Sequence, residues 1–254
     1  MNETPIMTVN DLSKAFGGIQ AVEQCSFEVR PRLITGLIGP NGAGKTTIFN
    51  LVTGFLRADR GSIRLNGDEL LGLAPHRVER RGVARTFQHL RLWHKMTVLD
   101  NVRLGCQGTA GENVLTLFCA PRRVRAEETR ARDRAMDVLG FFGLAGRANE
   151  LAEDLAYPEQ KLLSMARILA TDAEVLLLDE PTSGLDTEWL HRIVPLIRGL
   201  VDRGKTVLLI EHNMELIAQL SDEVVFLHQG RVLARGKPEE ITKNPTLTDI
   251  YFGV

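Results

Sequence analysis

The stretch GPNGAGKT, residues 39–46, follows the apolar run LITGLIG and matches the pattern G-x-x-x-x-G-K-[ST]. The apolar run predicts a buried strand and the residues after the lysine predict a helix, so the stretch is a loop between them. Its glycines let the backbone approach an anion closely, and the N–H groups at a helix start attract negative charge. Lys45 adds a positive charge, and the Thr46 hydroxyl suits Mg²⁺. The stretch therefore predicts a phosphate-binding loop in an α/β fold.

Two acidic residues follow a second apolar run. VLLLDEP, residues 175–181, places Asp179 and Glu180 at the carboxyl end of a predicted buried strand, where ligands bind in open parallel sheets. Asp179 suits Mg²⁺ through a water, and Glu180 suits a general base that acts on an attacking water. Alone, the pair would equally indicate a surface turn; with the phosphate-binding loop it indicates nucleotide hydrolysis. His212 follows TVLLIEH, whose strand should lie beside that of Asp179, so His212 is expected to reach the terminal phosphate.

The rest of the chain alternates between strand-like and helix-like patterns. IMTVNDLSKAF and QAVEQCSFEV predict antiparallel strands separated by two glycines. After residue 172, VLLLD and VLLIE are apolar throughout, which is typical of parallel strands covered on both faces. The stretch from 121 to 150 differs and is interpreted as a helical insertion between two halves of an α/β core. Its helical pattern places on one face Ala131, Ala135, Val138, Leu139 and Phe142.

The composition of the chain argues against several classes of protein. The 254 residues are 44% hydrophobic and 25% charged, as in soluble globular proteins, and a net charge of −1 gives no overall attraction to nucleic acid. Cys25, Cys106 and Cys119 form no CxxC pair, which argues against a zinc site or disulfide framework and fits a reducing cytoplasm. No signal pattern opens the chain, and no apolar run approaches the about 18 residues of a membrane span. Work at a membrane would therefore require a partner.

Further motifs follow in order along the chain: KAFGG with Phe16, RTFQHL with Gln88, SGLD with Asp186, and IEH with His212. With the first two stretches, they resemble the ATP-binding cassette (ABC) ATPases, the motor subunits of ABC transporters. The resemblance implies a P-loop NTPase fold of the ABC ATPase type, with a mixed-sheet core, an N-terminal antiparallel β subdomain and an inserted helical subdomain. It implies one domain over residues 1–254, with the core in 1–90 and 172–254 and the helical subdomain in about 95–171.

A finer resemblance is carried by FGGIQAV, TTIFNLVTGF, APHRVERRGVARTFQHLRLWHKMTVLDNV and GKPEEITKNPTLTDIYFGV. These are similar to the ATP-binding subunits of branched-chain (hydrophobic) amino-acid importers. The resemblance implies a location at the cytoplasmic face of the inner membrane, on two integral membrane permease subunits, with a periplasmic binding protein that delivers the substrate. The usual partner is a second, shorter ATP-binding subunit, so a heterodimer is favoured and a homodimer stays open. Urea, amides and aromatic acids remain alternative substrates, since the binding protein and permeases select the substrate.

The resemblance also implies a role for each matching residue. Glu180 would activate water, His212 would contact the γ-phosphate, and Gln88 would sense Mg²⁺ and water and link the site to the membrane subunit. Mg²⁺ would be held by Thr46, Gln88 and Asp179. ATP would be bound between two subunits by Phe16, Gly39, Asn41, Gly42, Gly44, Lys45, Thr46, Thr47, Leu155, Ala156, Tyr157, Glu159 and Asp186, with the P-loop from one subunit and the signature helix from the other.

The signature segment departs from the family pattern. Family members usually carry LSGGQ where this chain has LAYPE, residues 155–159. Pro158 has no N–H to offer a phosphate, but proline suits the first turn of a helix, and Tyr157 before it is expected to be extended. Glu159 adds negative charge, which Lys161 is expected to offset. The sequence thus predicts that the helix is kept and that its grip on an anion is weaker.

The chain has two stretches that are rich in arginine. Six arginines lie within residues 122–134 but alternate with acids and lack aromatic neighbours, which favours a solvated helix face over nucleic-acid binding. Solvated faces are also expected for Arg77, Arg80, Arg81 and Arg85, and contact of these four with a membrane subunit or lipid headgroups stays open.

Two other functions remain as alternatives to an importer ATPase. One is a non-transport cassette protein, and the other is a regulatory subunit that barely hydrolyses ATP. The Glu180 and His212 motifs argue against the second.

Overall fold

The computed structural model describes residues 4–106 and 121–252. The chain forms two compact units, Met1–Gln88 with Ala173–Val254, and His89–Asp172. The strands of the described part are β1 Met7–Phe16, β2 Ile19–Val29, β3 Ile34–Ile38, β4 Arg60–Leu65, β5 Asp68–Glu69, β6 Val83–Arg85, β7 Val175–Asp179, β8 Thr206–Ile210, β9 Glu223–His228 and β10 Arg231–Gly236. Its helices are α1 Lys45–Val52, α2 Pro75–Arg80, α3 Val98–Arg103, α4 Pro121–Phe141, α5 Tyr157–Leu169, α6 Thr187–Asp202, α7 Met214–Leu220, α8 Pro238–Thr242 and α9 Pro245–Phe252.

A four-stranded sheet in the first unit has the order β2-β1-β4-β5. β1 and β2 are antiparallel, with Met7 opposite Val29 and Phe16 opposite Ile19. The turn between them consists of Gly17 and Gly18, whose φ angles of 53° and 86° glycine adopts without strain. The sequence prediction of two antiparallel strands separated by glycines is confirmed.

The second sheet of the first unit has six strands in the order β10-β9-β3-β8-β7-β6. Its strands are parallel except that β10 runs antiparallel to β9. Every residue of β3, β7 and β8 is buried, as their continuous apolar runs predicted. β7 and β8 are neighbours, so their carboxyl ends lie at the same edge of the sheet. Residues that follow these two strands are thereby brought together.

The core of the first unit is formed by side chains from both sheets and from α1. Phe49 and Ile48 of α1 are completely buried in the same cluster as Leu37 of β3, Leu12 of β1 and Leu208 of β8. Burial of apolar surface is the main driving force of folding. This cluster fixes α1 directly behind the end of β3, and so positions the loop that connects them.

The second unit contains α3, α4 and α5. The face predicted for the inserted helix is buried, with Ala135 and Leu139 inaccessible to solvent and Phe142 buried just after the helix ends. Asn101 is also fully buried, and its side-chain amide accepts a hydrogen bond from the N–H of Trp93 and donates to the carbonyls of Trp93 and Thr97. Four of the arginines predicted to lie on a solvated face are exposed: Arg122, Arg125, Arg130 and Arg132.

Two further sequence expectations concern membranes and cysteines. Over residues 4–106 and 121–252, no helix combines the length and the apolar character that crossing a membrane requires. Cys25 and Cys106 are buried free thiols, and burial raises the pKa of the Cys25 thiol to about 12. Cys119 lies outside the described residues.

Candidate functional site

The glycine-rich loop connects β3 to α1, as the sequence predicted. Gly39 and Gly44 have φ angles of 149° and 99°. A Cβ atom would lie 2.1 Å from the Leu227 carbonyl oxygen at Gly39 and 2.4 Å from the Ala21 carbonyl oxygen at Gly44. Only glycine fits at these two positions. Gly42, with a φ of 81°, has open space on its Cβ side, so the loop packs on protein backbone at its ends and is accessible at its centre.

Lys45 is the first residue of α1 and is buried within its own loop. Its ammonium donates hydrogen bonds to the carbonyls of Gly39 at 2.7 Å and Pro40 at 2.9 Å. Burial lowers the pKa of Lys45, and the nearby carboxylates of Glu180 and Asp179 act in the opposite direction. A positive charge therefore lies under the loop and beside two carboxylates.

The hydroxyl residues that follow Lys45 lie in the first turn of α1. Thr46 is exposed and Thr47 is half-buried, and Asn41 at the centre of the loop is exposed as well. N–H groups in the first turn of a helix have no intrahelical acceptor, and the helix dipole makes this end positive. The first turn of α1 thus combines backbone donors, hydroxyl groups and an ammonium.

Asp179, the last residue of β7, is buried and paired with Arg85. A guanidinium nitrogen of Arg85 lies 2.6 Å from Asp179 Oδ2, and the two side chains are 5% and 4% exposed. The same guanidinium donates to the Asn50 side chain at 2.7 Å and lies 5.2 Å from the ring centroid of Phe49. The prediction of a solvated face was therefore wrong for Arg85. Its position on β6, which pairs with β7, turns the side chain toward the carboxylate.

Glu180 lies between two side chains from separate parts of the first unit. Its Oε2 accepts a hydrogen bond from the Gln88 amide at 3.0 Å, and its Oε1 lies 2.5 Å from Nε2 of His212. The expectation that the strand before His212 lies beside that of Asp179 is confirmed, since β7 and β8 pair directly. Glu180 has a φ of 50°, which is rare for a residue with a side chain. The structure thus brings the three residues predicted to be catalytic into direct contact.

Two groups in this region had not been identified from the sequence. Glu211 is buried, and its carboxylate accepts hydrogen bonds from the N–H of Thr182 at 2.9 Å and from its hydroxyl at 2.7 Å. Tyr251 of α9 donates its hydroxyl to the backbone carbonyl of His212 at 2.5 Å. The position of Glu211 directly before His212 was a signal in the sequence that could have identified it. No local pattern points to Tyr251, which is 39 residues away from His212 in the chain.

The signature segment begins helix α5 in the second unit. The extended residue is Ala156, with φ −61° and ψ 152°, and the helix begins at Tyr157. The expectation that Tyr157 is extended was therefore wrong. The Gln160 N–H donates to the Ala156 carbonyl at 3.0 Å, which closes the first turn one residue earlier than the proline alone suggested. Pro158 occupies the second helical position, where a missing N–H breaks no intrahelical bond.

Glu159 is held back against the start of α5. Its carboxylate accepts a hydrogen bond from the Ala156 N–H at 3.0 Å and forms an ion pair with Arg147. Arg147 also lies 2.6 Å from Glu150, and the carboxylates of Glu150 and Glu159 raise the pKa of the Arg147 guanidinium. The cation that offsets Glu159 is thus Arg147. Lys161, expected in that role, is buried with its ammonium 5.5 Å from the ring centroid of Tyr157.

The remaining predicted residues each have local contacts or burial of their own. Asp186 is the N-cap of α6, where its carboxylate accepts the Trp189 N–H at 2.9 Å. Phe16, at the end of β1, is 45% exposed, with the Lys14 ammonium 5.4 Å from its ring centroid. Leu155 is buried directly before the signature helix. Asp186 therefore has a structural role that the sequence reading had not assigned.

Comparison with known proteins identifies the relatives of this chain. Residues 22–183 match the ABC transporter family. The chain is 41% identical to the high-affinity branched-chain amino acid transport ATP-binding protein LivG of Salmonella typhimurium over 250 residues, 98% of each chain. It is 40% identical to the corresponding protein BraF of Pseudomonas aeruginosa over 253 residues, again 98% of each. The ADP conformation of MJ1267, an ATP-binding cassette of an ABC transporter, superposes with a TM-score of 0.84 at 26% identity, over 99% of this chain and 100% of that one.

These similarities confirm the resemblance drawn from the motifs. The α/β fold with one mixed and one antiparallel sheet is that of the ABC ATPases. Nucleotide binding and ATP hydrolysis are the shared chemistry of the cassettes that the chain matches. The chain belongs to the ABC transporter family, as one of its ATP-binding cassettes.

Proposed function

We propose that this chain is the ATP-hydrolysing subunit of an importer of branched-chain amino acids, and that it works at the cytoplasmic face of the membrane. The names of the relatives at 40–41% identity support this substrate class, because those proteins serve high-affinity branched-chain amino acid transport. The observation that carries the ATPase part is the position of Glu180, held between Gln88 and His212 at the end of β7.

The phosphates of ATP are proposed to bind over the loop of residues 39–44. The open side of Gly42, the donors in the first turn of α1 and the buried charge of Lys45 fit a polyanion. In the structure the Lys45 ammonium donates to two loop carbonyls, so it is already directed toward the inside of the loop. Thr46 and Thr47 add hydroxyl groups in that turn, and exposed Phe16 offers a ring on which adenine can stack.

Mg²⁺ is proposed to bind among Thr46, Asp179 and Gln88. The donor set fits: the three side chains offer oxygen atoms, which Mg²⁺ prefers, and few carboxylates, which suits a cation that keeps waters and phosphate oxygens as ligands. When bound, Mg²⁺ would neutralise developing charge on the phosphates. Arg85 pairs with Asp179 through Oδ2, and this contact holds the carboxylate in place at the end of β7.

Glu180 is proposed to accept the proton of the attacking water. Gln88 and His212 each contact one of its carboxylate oxygens, and these contacts fix the direction of the carboxylate. His212 is half-exposed, so its ring can also reach a phosphate oxygen. A general base of this kind contributes roughly 10²–10⁴ in rate.

The second unit is proposed to be the helical subdomain that carries the signature motif to a partner. Residues 155–157 and Glu159 would contact the nucleotide of a second ATP-binding subunit, and Asp186 would contact that subunit across the dimer. Two permease subunits and, indirectly, a periplasmic binding protein would complete the assembly. The dipole at the start of α5 supports an anion contact, and two features weaken it: Pro158 removes one N–H donor, and Glu159 already accepts the N–H of Ala156.

The test is Glu180→Gln, which keeps the shape of the side chain and its contact with Gln88 and removes the base. We expect ATP binding to persist and single-turnover hydrolysis to fall about 10²–10⁴-fold. The matched control is Glu188→Gln, an exposed acid in the first turn of α6. Normal hydrolysis by Glu180→Gln would contradict the assignment.

The transported substrate requires its own experiment. The chain, assembled with the permeases and binding protein that co-purify with it, should drive ATP-dependent uptake of leucine into vesicles. Uptake of urea, an amide or an aromatic acid in place of leucine would contradict the substrate class and leave the ATPase assignment intact.

A further inference from the structure

Tyr251, near the end of the described chain, contacts a residue of the hydrolytic site. Its hydroxyl donates a hydrogen bond of 2.5 Å to the backbone carbonyl of His212. The side chain of the same histidine lies 2.5 Å from Oε1 of Glu180. His212 thus connects Tyr251 of helix α9 to the proposed general base. None of the steps proposed above requires Tyr251.

The tyrosine is held in place by its own surroundings. Its ring packs edge-on against the completely buried Phe226 of β9, with 6.3 Å between ring centroids. Leu247 of the same helix is buried as well. A side chain anchored in this way makes its hydrogen bond at little further cost in conformational entropy.

The residues on both sides of His212 are fixed independently of Tyr251. The Glu211 carboxylate binds the backbone and hydroxyl of Thr182. The Asn213 side chain accepts the N–H groups of Glu215 and Leu216 and caps α7. Among the hydrogen bonds described for these three residues, the bond from Tyr251 is the one that holds the peptide group of His212 itself.

We propose that Tyr251 is a positioning residue for ATP hydrolysis. Its hydroxyl fixes the peptide plane that follows His212 and thereby directs the imidazole toward Glu180. This inference rests on the function proposed above for His212 and Glu180. It makes helix α9 a working part of the hydrolytic site.

The tyrosine is suited to act as a permanent donor. Burial raises the pKa of its hydroxyl, and the carboxylates of Glu211 and Glu180 raise it further. The hydroxyl therefore keeps its proton through the neutral and mildly alkaline range in which an unperturbed tyrosine also keeps it. The carbonyl of His212 has no proton to offer in return, so the direction of the bond is fixed.

The first measurement uses Tyr251→Phe, which removes the hydroxyl and keeps the ring against Phe226. Loss of one neutral hydrogen bond corresponds to a decrease in the rate of about two- to tenfold. We expect the rate of single-turnover hydrolysis by the purified full-length chain to fall by this factor, and the affinity for ATP in a separate binding measurement to stay unchanged. The matched control is Thr248→Val, which removes a hydroxyl and a hydrogen bond from the same helix without touching His212. The control should hydrolyse ATP at the normal rate.

The second measurement does not depend on turnover. In the protein without nucleotide, NMR signals of the six histidines report on each imidazole. Tyr251→Phe should shift the signal of His212, while the signals of the other five histidines stay in place. An unchanged His212 signal would overturn the inference, even if hydrolysis were slower.

The third measurement separates this inference from the proposed function. In a His212→Ala background, Tyr251→Phe should produce no further decrease, because its effect passes through the imidazole. A full additional decrease would overturn the inference. Normal hydrolysis by His212→Ala would refute the proposed role of His212 and the inference with it. Slow hydrolysis by His212→Ala together with normal hydrolysis by Tyr251→Phe would refute the inference alone.

Discussion

Asp179 and Arg85 form a charge pair that is almost completely removed from water. The side chains are 4% and 5% exposed, and the guanidinium is enclosed further by Asn50 and by the rings of Phe49 and Phe87. A buried pair of this kind adds little net stability, because both charges lose their hydration. Removal of one member is strongly destabilising, because it leaves the other charge buried without its partner.

We therefore expect Arg85→Met to lower the free energy of unfolding by about 3–5 kcal/mol. Urea denaturation measures this value. Arg81→Met is the control, because its pair with Asp68 is exposed and should contribute only about 0–1 kcal/mol. Addition of Asp179→Asn to Arg85→Met should restore part of the loss, since no buried charge then remains. Equal effects of Arg85→Met and Arg81→Met would contradict this account.

At the scale of secondary-structure elements, α5 depends on an ion-pair network at its start. Arg147 precedes the helix and contacts both Glu159 and Glu150. Glu159 in turn accepts the N–H of Ala156, the residue before the helix. The network orients the signature segment and cancels the charge that Glu159 would otherwise present to an anion.

Arg147→Gln should lower the melting temperature at neutral pH, and the difference from the unmodified chain should shrink in acid. Arg147 lowers the pKa of the Glu150 carboxyl in the folded chain. Stability from a lowered carboxyl pKa is present above the unfolded value, about 4.3, and is lost as the pH falls through the folded value. Scanning calorimetry at pH 7 and below pH 4 checks this. The control Lys243→Gln breaks a highly exposed pair with Glu239 and should change little at either pH.

At the scale of the whole assembly, the missing N–H of Pro158 is expected to weaken the ATP site to which this chain contributes its signature helix. A heterodimer would then have two unequal ATP sites, and a homodimer would have two weakened sites. Pro158→Gly with Glu159→Gln in the reconstituted transporter should raise ATP hydrolysis roughly tenfold to a hundredfold, by return of an N–H donor to a charged group. Since Arg147 already neutralises Glu159, most of the gain should come from Pro158→Gly alone. Pro75→Gly, a first-turn proline in α2, is the control. Unchanged ATPase and uptake would contradict the hypothesis.

Local patterns in the sequence were sufficient to predict the framework of the molecule. Strand β7, strand β8 and the loop before α1 were all predicted, because apolar runs and glycines act over a few residues. The pairing of β7 with β8 was also predicted, and it brings His212 to the edge of the sheet where Glu180 lies. The hydrogen bonds of Glu180 to Gln88 and His212 themselves had not been predicted. Arg85 was interpreted as a surface residue together with Arg77, Arg80 and Arg81, which belong to the same basic stretch and are exposed in the structure.

Contacts between residues far apart in the chain could not be predicted from such local patterns. Whether an arginine on β6 turns toward Asp179 depends on the pairing of β6 with β7, and Tyr251 meets His212 only after α9 has packed on the sheet. The start of α5 was misplaced by one residue for a similar reason. Its first turn depends on Gln160 and on Glu159, whose carboxylate is held by Arg147 from twelve residues upstream.

The backbone of Glu180 has a consequence for the evolution of the chain. With a φ of 50°, the residue lies in a region that glycine and asparagine occupy readily and that costs other residues roughly 1–2 kcal/mol. Glycine or asparagine at residue 180 would remove the proposed general base and would also relieve this cost, so the fold itself does not oppose such a change. Selection against it would act through hydrolysis alone.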